Sequence, residues 1–361
     1  MSDSPIPVTL LTGFLGSGKS TLLTQVLRDP RFNDSAVVVN EFGEVGLDGE
    51  LIEHSTEQLV EMTSGCLCCT IRGDIRETLL TLHRRQDQGE IPSFRRLIVE
   101  TTGLADPAPV IHTLMTDMWL QNRYMLGGIV TTVDIVNGSA SLARHAECVK
   151  QVAVADRIVL TKTDLAVDPD SRADPEKLRD QLHQINPGTL ILDRNDPSFD
   201  VQELFETSLY DPASKSYEVQ RWLNLEAYEA DNAAHAHHHH HDVNRHDAEI
   251  EAFCLVLDKP ISTLEFMAGL ELLIASRGPD LLRVKGIINL LEKPETPVVI
   301  HGVQHVFHNP VWLDKWPGED RRTKIVFITR NIAQETIEAF FKPWRTGSGQ
   351  VASTQVSVGS T

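Results

Sequence analysis

Short apolar runs, rich in β-branched residues, recur along the first part of the chain at residues 7–11, 36–39, 96–99, 129–133, 157–160 and 190–192. Within each run polar residues do not alternate with apolar ones, the pattern of a strand buried on both faces. Between several of these runs the apolar positions recur at three- and four-residue spacing. Residues 21–27, 75–83 and 145–155 are therefore expected as helices, the first ended near Pro30. Strands alternating with helices predict a parallel sheet covered on both faces. A short helix over 201–207 completes this α/β domain, which is expected to span residues 1–210.

Residues 211–247 are polar and read as a mobile connector. A different pattern starts at residue 248, with strands expected at 250–257, 281–289, within 297–308 and at 324–328. Helices are expected at 263–274 and 333–341. These elements predict a smaller α+β domain over 248–345. The final stretch, 346–361, lacks large apolar groups and is predicted to be disordered. A chain of 361 residues fits two domains at about 100–200 residues each.

The first strand runs into Gly13-Phe-Leu-Gly16-Ser17-Gly18-Lys19-Ser20-Thr21, which fits the phosphate-binding pattern G-x-x-x-x-G-K-S/T. Glycines let such a loop curl so that its N–H groups face phosphate oxygens, and the following helix adds its positive dipole end. Lys19 is placed to reach the β- and γ-phosphates, and the Ser20 hydroxyl to ligate Mg²⁺. Thr161-Lys162-Thr163-Asp164 follows a later strand and fits the N/T-K-x-D element that reads guanine. The Asp164 carboxylate can accept from guanine N1–H and N2–H₂, donors that adenine lacks, while the Lys162 stem packs on the base. Glu100-Thr-Thr-Gly103 follows the 96–99 strand. There Glu100 can hold Mg²⁺ directly or through water, and the Gly103 N–H can approach the γ-phosphate. Ordinary Gly turns and a helix cap at Asp164 are the bland alternatives.

Charge and composition narrow the partners. The formal net charge of −18, with no Lys/Arg run, argues against a nucleic-acid surface. No apolar run reaches the length of a membrane span, and the start MSDSPIPVTLLTG does not read as a signal peptide. Five cysteines form no disulfide framework, so a cytoplasmic setting is expected. Three of them, Cys66, Cys68 and Cys69, fall within four residues and can give thiolate ligands to a soft or borderline ion such as Zn²⁺. Packing or redox exchange would be the alternative uses. Glu41, Glu44 and Asp48 follow the 36–39 strand and are candidates for Mg²⁺ or for the second metal. Seven of the fifteen histidines lie between His235 and His246 and form a compositional metal signal.

Taken in order, GFLGSGKST, NEFGEVGLD, GCLCC, ETTGLADP and TKTD resemble the CobW-like GTPases, relatives of the nickel-handling HypB and UreG proteins. Leu282-Arg-Val-Lys-Gly286, His301-Gly-Val-Gln-His305 and residues 322–330 resemble the CobW C-terminal domain. The resemblance spans residues 7 to about 345. It implies a P-loop GTPase that hydrolyses GTP slowly and delivers a metal to a client metalloprotein. It also implies that Cys66, Cys68 and Cys69 bind that metal and that Glu41 joins them. Zinc is favoured as cargo, with Co²⁺ as the alternative. A zinc store or a cobalt chaperone for cobalamin synthesis are the competing functions, and a homodimer is compatible with the sequence.

Overall fold

The computed structural model describes residues 5–40, 58–61, 67–71, 74–167, 173–205 and 250–345. The connector expected at 211–247 and the tail at 346–361 lie outside the described residues. So do Glu41, Glu44, Asp48, Cys66 and the histidine run.

The first sheet takes its strands in the order β3-β4-β2-β5-β1-β6-β7-β8. These are β1 (Ile6–Gly13), β2 (Ser35–Asn40), β3 (Gln58–Glu61), β4 (Leu67–Ile71), β5 (Arg96–Thr101), β6 (Tyr124–Asp134), β7 (Arg157–Thr161) and β8 (Leu190–Asp193). All neighbours are parallel except β3, which pairs antiparallel with β4. The apolar runs are continuous because both faces are covered, and successive residues point to opposite layers. Leu10, Val38 and Val99 join Ile75, Leu79, Ile111 and Leu114 on one face. Leu11, Val37 and Ile98 join Leu22, Leu23 and Val26 on the other.

The helices of this unit are α1 (Lys19–Arg28), α2 (Ile75–Asp87), α3 (Ala108–Thr116), α4 (Met118–Gln121), α5 (Gly138–Arg144), α6 (Ala146–Ala153) and α7 (Pro175–Ile185). Among the described residues no helix is long and apolar enough to cross a membrane. Two features depart from the sequence expectation. Leu67–Ile71 and Gln58–Glu61 form strands where no apolar run announces them. The fourth apolar run starts at Tyr124 rather than 129, through Gly127. A Cβ on Gly127 would lie 3.2 Å from the Pro7 Cβ on the neighbouring strand, so close approach explains the interruption.

The second sheet is antiparallel, in the order β12-β11-β10-β14-β9, with β13 paired to β11. Its strands are β9 (Ile250–Leu257), β10 (Leu281–Ile288), β11 (Val298–Val303), β12 (Val306–Phe307), β13 (Val311–Trp312) and β14 (Thr323–Arg330). Helices α8 (Thr263–Arg277) and α9 (Gln334–Arg345) cover one face through Phe266, Leu270, Leu273, Ile337 and Phe341. Ser262 and Glu265 form a capping box that starts α8. The other face meets the first unit, where Leu282 and Ile328 pack on Ala153.

One buried ionic cluster joins the two units. Asp156, between α6 and β7, lies 3.1 Å from Lys285 Nζ and bonds the Arg283 guanidinium. Its second oxygen accepts from Ile129 N at 3.0 Å. Arg283 also donates to the Val154 carbonyl. Burial alone would push the Asp156 carboxyl up, but the Arg283 and Lys285 charges outweigh it and hold the group low. Burial and the Arg283 charge push Lys285 down to about 8.

Candidate nucleotide and metal site

The loop between β1 and α1 takes its shape from positions that L side chains rarely tolerate. Gly13 has φ 139° and Gly18 has φ 91°. A Cβ on Gly13 would sit 2.4 Å from Thr132 Oγ1, and one on Gly18 would sit 3.2 Å from Thr161 Cγ2. Ser17 pins the loop from inside, its Oγ 2.6 Å from Thr132 Oγ1 and its carbonyl accepting from Thr161 Oγ1 at 2.7 Å. Gly18 caps α1 in the left-handed conformation with no side-chain hydrogen bond. The first N–H groups of α1 are thus left for an anion. Gly16 and Thr21 flank this turn on its solvent side.

Lys19 is buried, and its Nζ donates to the carbonyls of Gly13 at 2.7 Å and Phe14 at 3.1 Å. Burial pushes its ammonium below the ordinary lysine value, and the Glu100 charge opposes that shift. Ser20 Oγ donates to Glu100 Oε1 at 3.0 Å. A hydroxyl and a carboxylate together make an oxygen-only pair at the carboxyl ends of β1 and β5, the donor type that hard cations prefer. Gly103 presses on the loop: a Cβ there would lie 2.5 Å from Leu15 N.

The turn expected to read the base lies at the end of β7. Lys162 has φ 58°, and its Nζ pairs with Asp134 Oδ2 at 2.6 Å. Burial would push the Asp134 carboxyl up, but bonds from Lys162, Asn137 and the Val136 N–H hold it below the usual range. Asp164 is exposed, and its Oδ1 accepts from Asn195 Nδ2 at 2.8 Å. That amide also donates to Thr163 Oγ1 at 2.9 Å, and Thr163 donates to Asp193 Oδ1 at 2.7 Å. The carboxylate of Asp164 is thereby oriented with acceptor capacity to spare.

Of the cysteine motif, the backbone of Cys68 and Cys69 is described, in β4 between β3 and β2. Cys69 lies in register with Val38 on β2, and Val38 with Val99 on β5. Strands lie about 4.8 Å apart, so the Cys69 backbone is roughly 10 Å from that of Glu100.

The loop after β1, the turn after β7 and the cysteine strand thus belong to one sheet. Residues 7–193 match the family described as CobW/HypB/UreG, nucleotide-binding domain, and residues 250–343 match the cobalamin synthesis protein cobW C-terminal domain. The chain belongs to the CobW/HypB/UreG family. The zinc chaperone YjiA of Escherichia coli is 33% identical over 338 residues, covering 94% of this chain and 98% of that protein. The zinc-regulated GTPase metalloprotein activator 1 of Schizosaccharomyces pombe is 36% identical over 168 residues, covering 45% and 40%. The crystal structure of the Zn(II)-bound YjiA GTPase superposes with a TM-score of 0.71 at 31% identity, covering 94% and 99%.

Within this CobW-type frame, some site residues carry no motif. Asp134 ends an apolar run and could have been noted for its position at a strand's carboxyl end. Asn195 and Gln151 have no such signal: their partners lie 31 and up to 48 positions away.

Proposed function

We propose that this chain is a GTP-dependent zinc chaperone. It holds zinc on Cys66, Cys68 and Cys69 with Glu41 as a further ligand, and passes it to a client metalloprotein as GTP is hydrolysed. The observation that carries this reading is the sheet register, which sets the strand of Cys68 and Cys69 two strands from that of Glu100, with Cys69 level with Val99 and Thr70 level with Glu100. The zinc named for the relatives at near full-length similarity supports the cargo. Thiolates also accept Co²⁺, and zinc binds more strongly than cobalt(II) in the usual order.

GTP lies along the loop, with N–H groups of residues 16–20 turned to its phosphates. Lys19 exchanges the carbonyls of Gly13 and Phe14 for phosphate oxygens, a stronger, charge-assisted pairing. Ser20 and Glu100 hold Mg²⁺, which when bound neutralises charge on the β- and γ-phosphates. Asp164 reads guanine, steadied by Asn195, and Gly103 senses the γ-phosphate. The segment after β5 then differs between the GTP and GDP states, and the affinity of the thiolates for zinc changes with it.

Metal stoichiometry tests the assignment. The triple variant C66S/C68S/C69S is expected to lose one tight zinc equivalent in a competition titration with a chelator. Deletion of residues 235–241 is expected to leave that equivalent in place. A storage protein gives the reverse, with most bound zinc lost on deleting the histidine run.

A further inference from the structure

Helix α6 belongs to no nucleotide-binding motif, yet it grips the segment after β5 at two points. Gln151 is 1% exposed. Its Nε2 donates to the carbonyls of Gly103 at 3.2 Å and Ala105 at 3.0 Å, so both amide hydrogens serve one turn. Both partners are carbonyls, which fixes the donating end of the amide toward them. One residue earlier, Lys150 Nζ pairs with Asp106 Oδ2 at 2.7 Å. The turn itself closes through Ala105 N to the Thr102 carbonyl at 3.1 Å.

The helix is a firm base for that grip. Thr131 Oγ1 donates to the Gln151 carbonyl at 2.7 Å. Asn186 Nδ2 donates to the carbonyls of Val152, Ala153 and Ala155 at 3.0, 3.3 and 2.9 Å. Gln151 Oε1, by contrast, is buried with no protein partner among the described residues, and the side chain lines a small cavity beneath the loop beside Ser17 and Thr132. A buried acceptor left without a protein bond is costly, so the side chain keeps this pose for its donating end.

Gly103 has the widest backbone freedom in the segment and sits against the Leu15 backbone. We propose that Gln151 is a positioning residue: by holding the Gly103 and Ala105 carbonyls it fixes the turn closed from Ala105 N to the Thr102 carbonyl, whose peptide carries the Gly103 N–H, so that this N–H meets the γ-phosphate and the site distinguishes GTP from GDP. This rests on the reading of Gly103 as the γ-phosphate sensor.

The test compares affinities of the full chain for GDP and for a non-hydrolysable GTP analogue. Gln151→Met keeps the length and loses both donors. It is expected to weaken the analogue about tenfold, the scale of one lost hydrogen bond, and to lower kcat for GTP by at least as much. GDP affinity is expected to stay within about twofold, because GDP has no γ-phosphate for Gly103 to meet. Gln151→Glu, whose carboxylate repels the two carbonyls, is expected to lose more. Equal losses for both nucleotides with a lowered Tm would make Gln151 a packing residue and overturn the proposal. An unchanged GTP preference in Gln151→Met would also overturn it. The unaltered chain separates the two layers: if it prefers the GTP analogue over GDP and Gln151→Met keeps that preference, the sensor reading stands and the positioning role falls. If the unaltered chain binds both nucleotides equally, the sensor reading falls as well.

Discussion

Lys19→Met is expected to lower kcat/KM for GTP on the order of 10²–10³-fold, the usual loss on removing one preorganised donor from a developing charge. Stability is expected to move in a different way. In the structure the Lys19 ammonium is buried and bonded to the carbonyls of Gly13 and Phe14. Its charge is disfavoured by that burial, which is why its pKa falls. A Met of similar length fills the space without that desolvation cost, which offsets the bonds lost to the Gly13 and Phe14 carbonyls. Tm in the absence of nucleotide is therefore expected to stay within a few degrees, equivalent to about 1 kcal/mol or less. Steady-state GTP hydrolysis and a thermal melt on the same preparation check both halves. A variant that melts far earlier would mean that the lysine holds the loop together rather than waiting for phosphate.

Asp156→Asn is expected to be the most destabilising single change at the junction of the two units, costing about 3–5 kcal/mol. The amide leaves Arg283 and Lys285 buried side by side without a counter-charge. Lys285, already pushed down to about 8, can discharge and relieve part of the cost. The cost is therefore expected to be larger below pH 8, where Lys285 carries its proton, and smaller as pH rises through that value. Replacing all three residues together, as D156L/R283M/K285M, is expected to recover most of the loss, since an apolar cluster of similar volume avoids the desolvation of every charge. Urea unfolding of the single and triple variants at pH 7 and pH 9 measures these differences. A near-neutral Asp156→Asn would mean that the cluster contributes little to docking.

The site's phosphate end was legible in sequence because its shape depends on glycines at fixed spacing and on a lysine and a serine that follow them. The central strands were legible because burial on both faces demands unbroken apolar runs. The edge of the same sheet was not. The run Leu67–Ile71 carries two cysteines and a threonine, so it reads as a metal motif rather than as a strand. The contacts that orient the functional groups were invisible for a different reason. Asp134 under Lys162, Asn195 beside Asp164 and Asp156 beneath Arg283 each join residues far apart in the chain. Such contacts follow from which strands become neighbours, and spacing along one segment does not report that. For the cysteine motif the strand order added what spacing does not report: β4-β2-β5 sets the backbone of Cys68 and Cys69 two strands from β5.

In the proposed function nucleotide and zinc share one free-energy coupling. A difference of about 3 kcal/mol between the GTP and GDP states corresponds to roughly a hundredfold change in zinc affinity, and bound zinc must then change relative nucleotide affinity by the same factor. A zinc competition titration against a chelator, run once with a non-hydrolysable GTP analogue and once with GDP, measures it directly. Zinc is expected to bind more tightly with the GTP analogue. Equal zinc affinities in the two nucleotide states would contradict it.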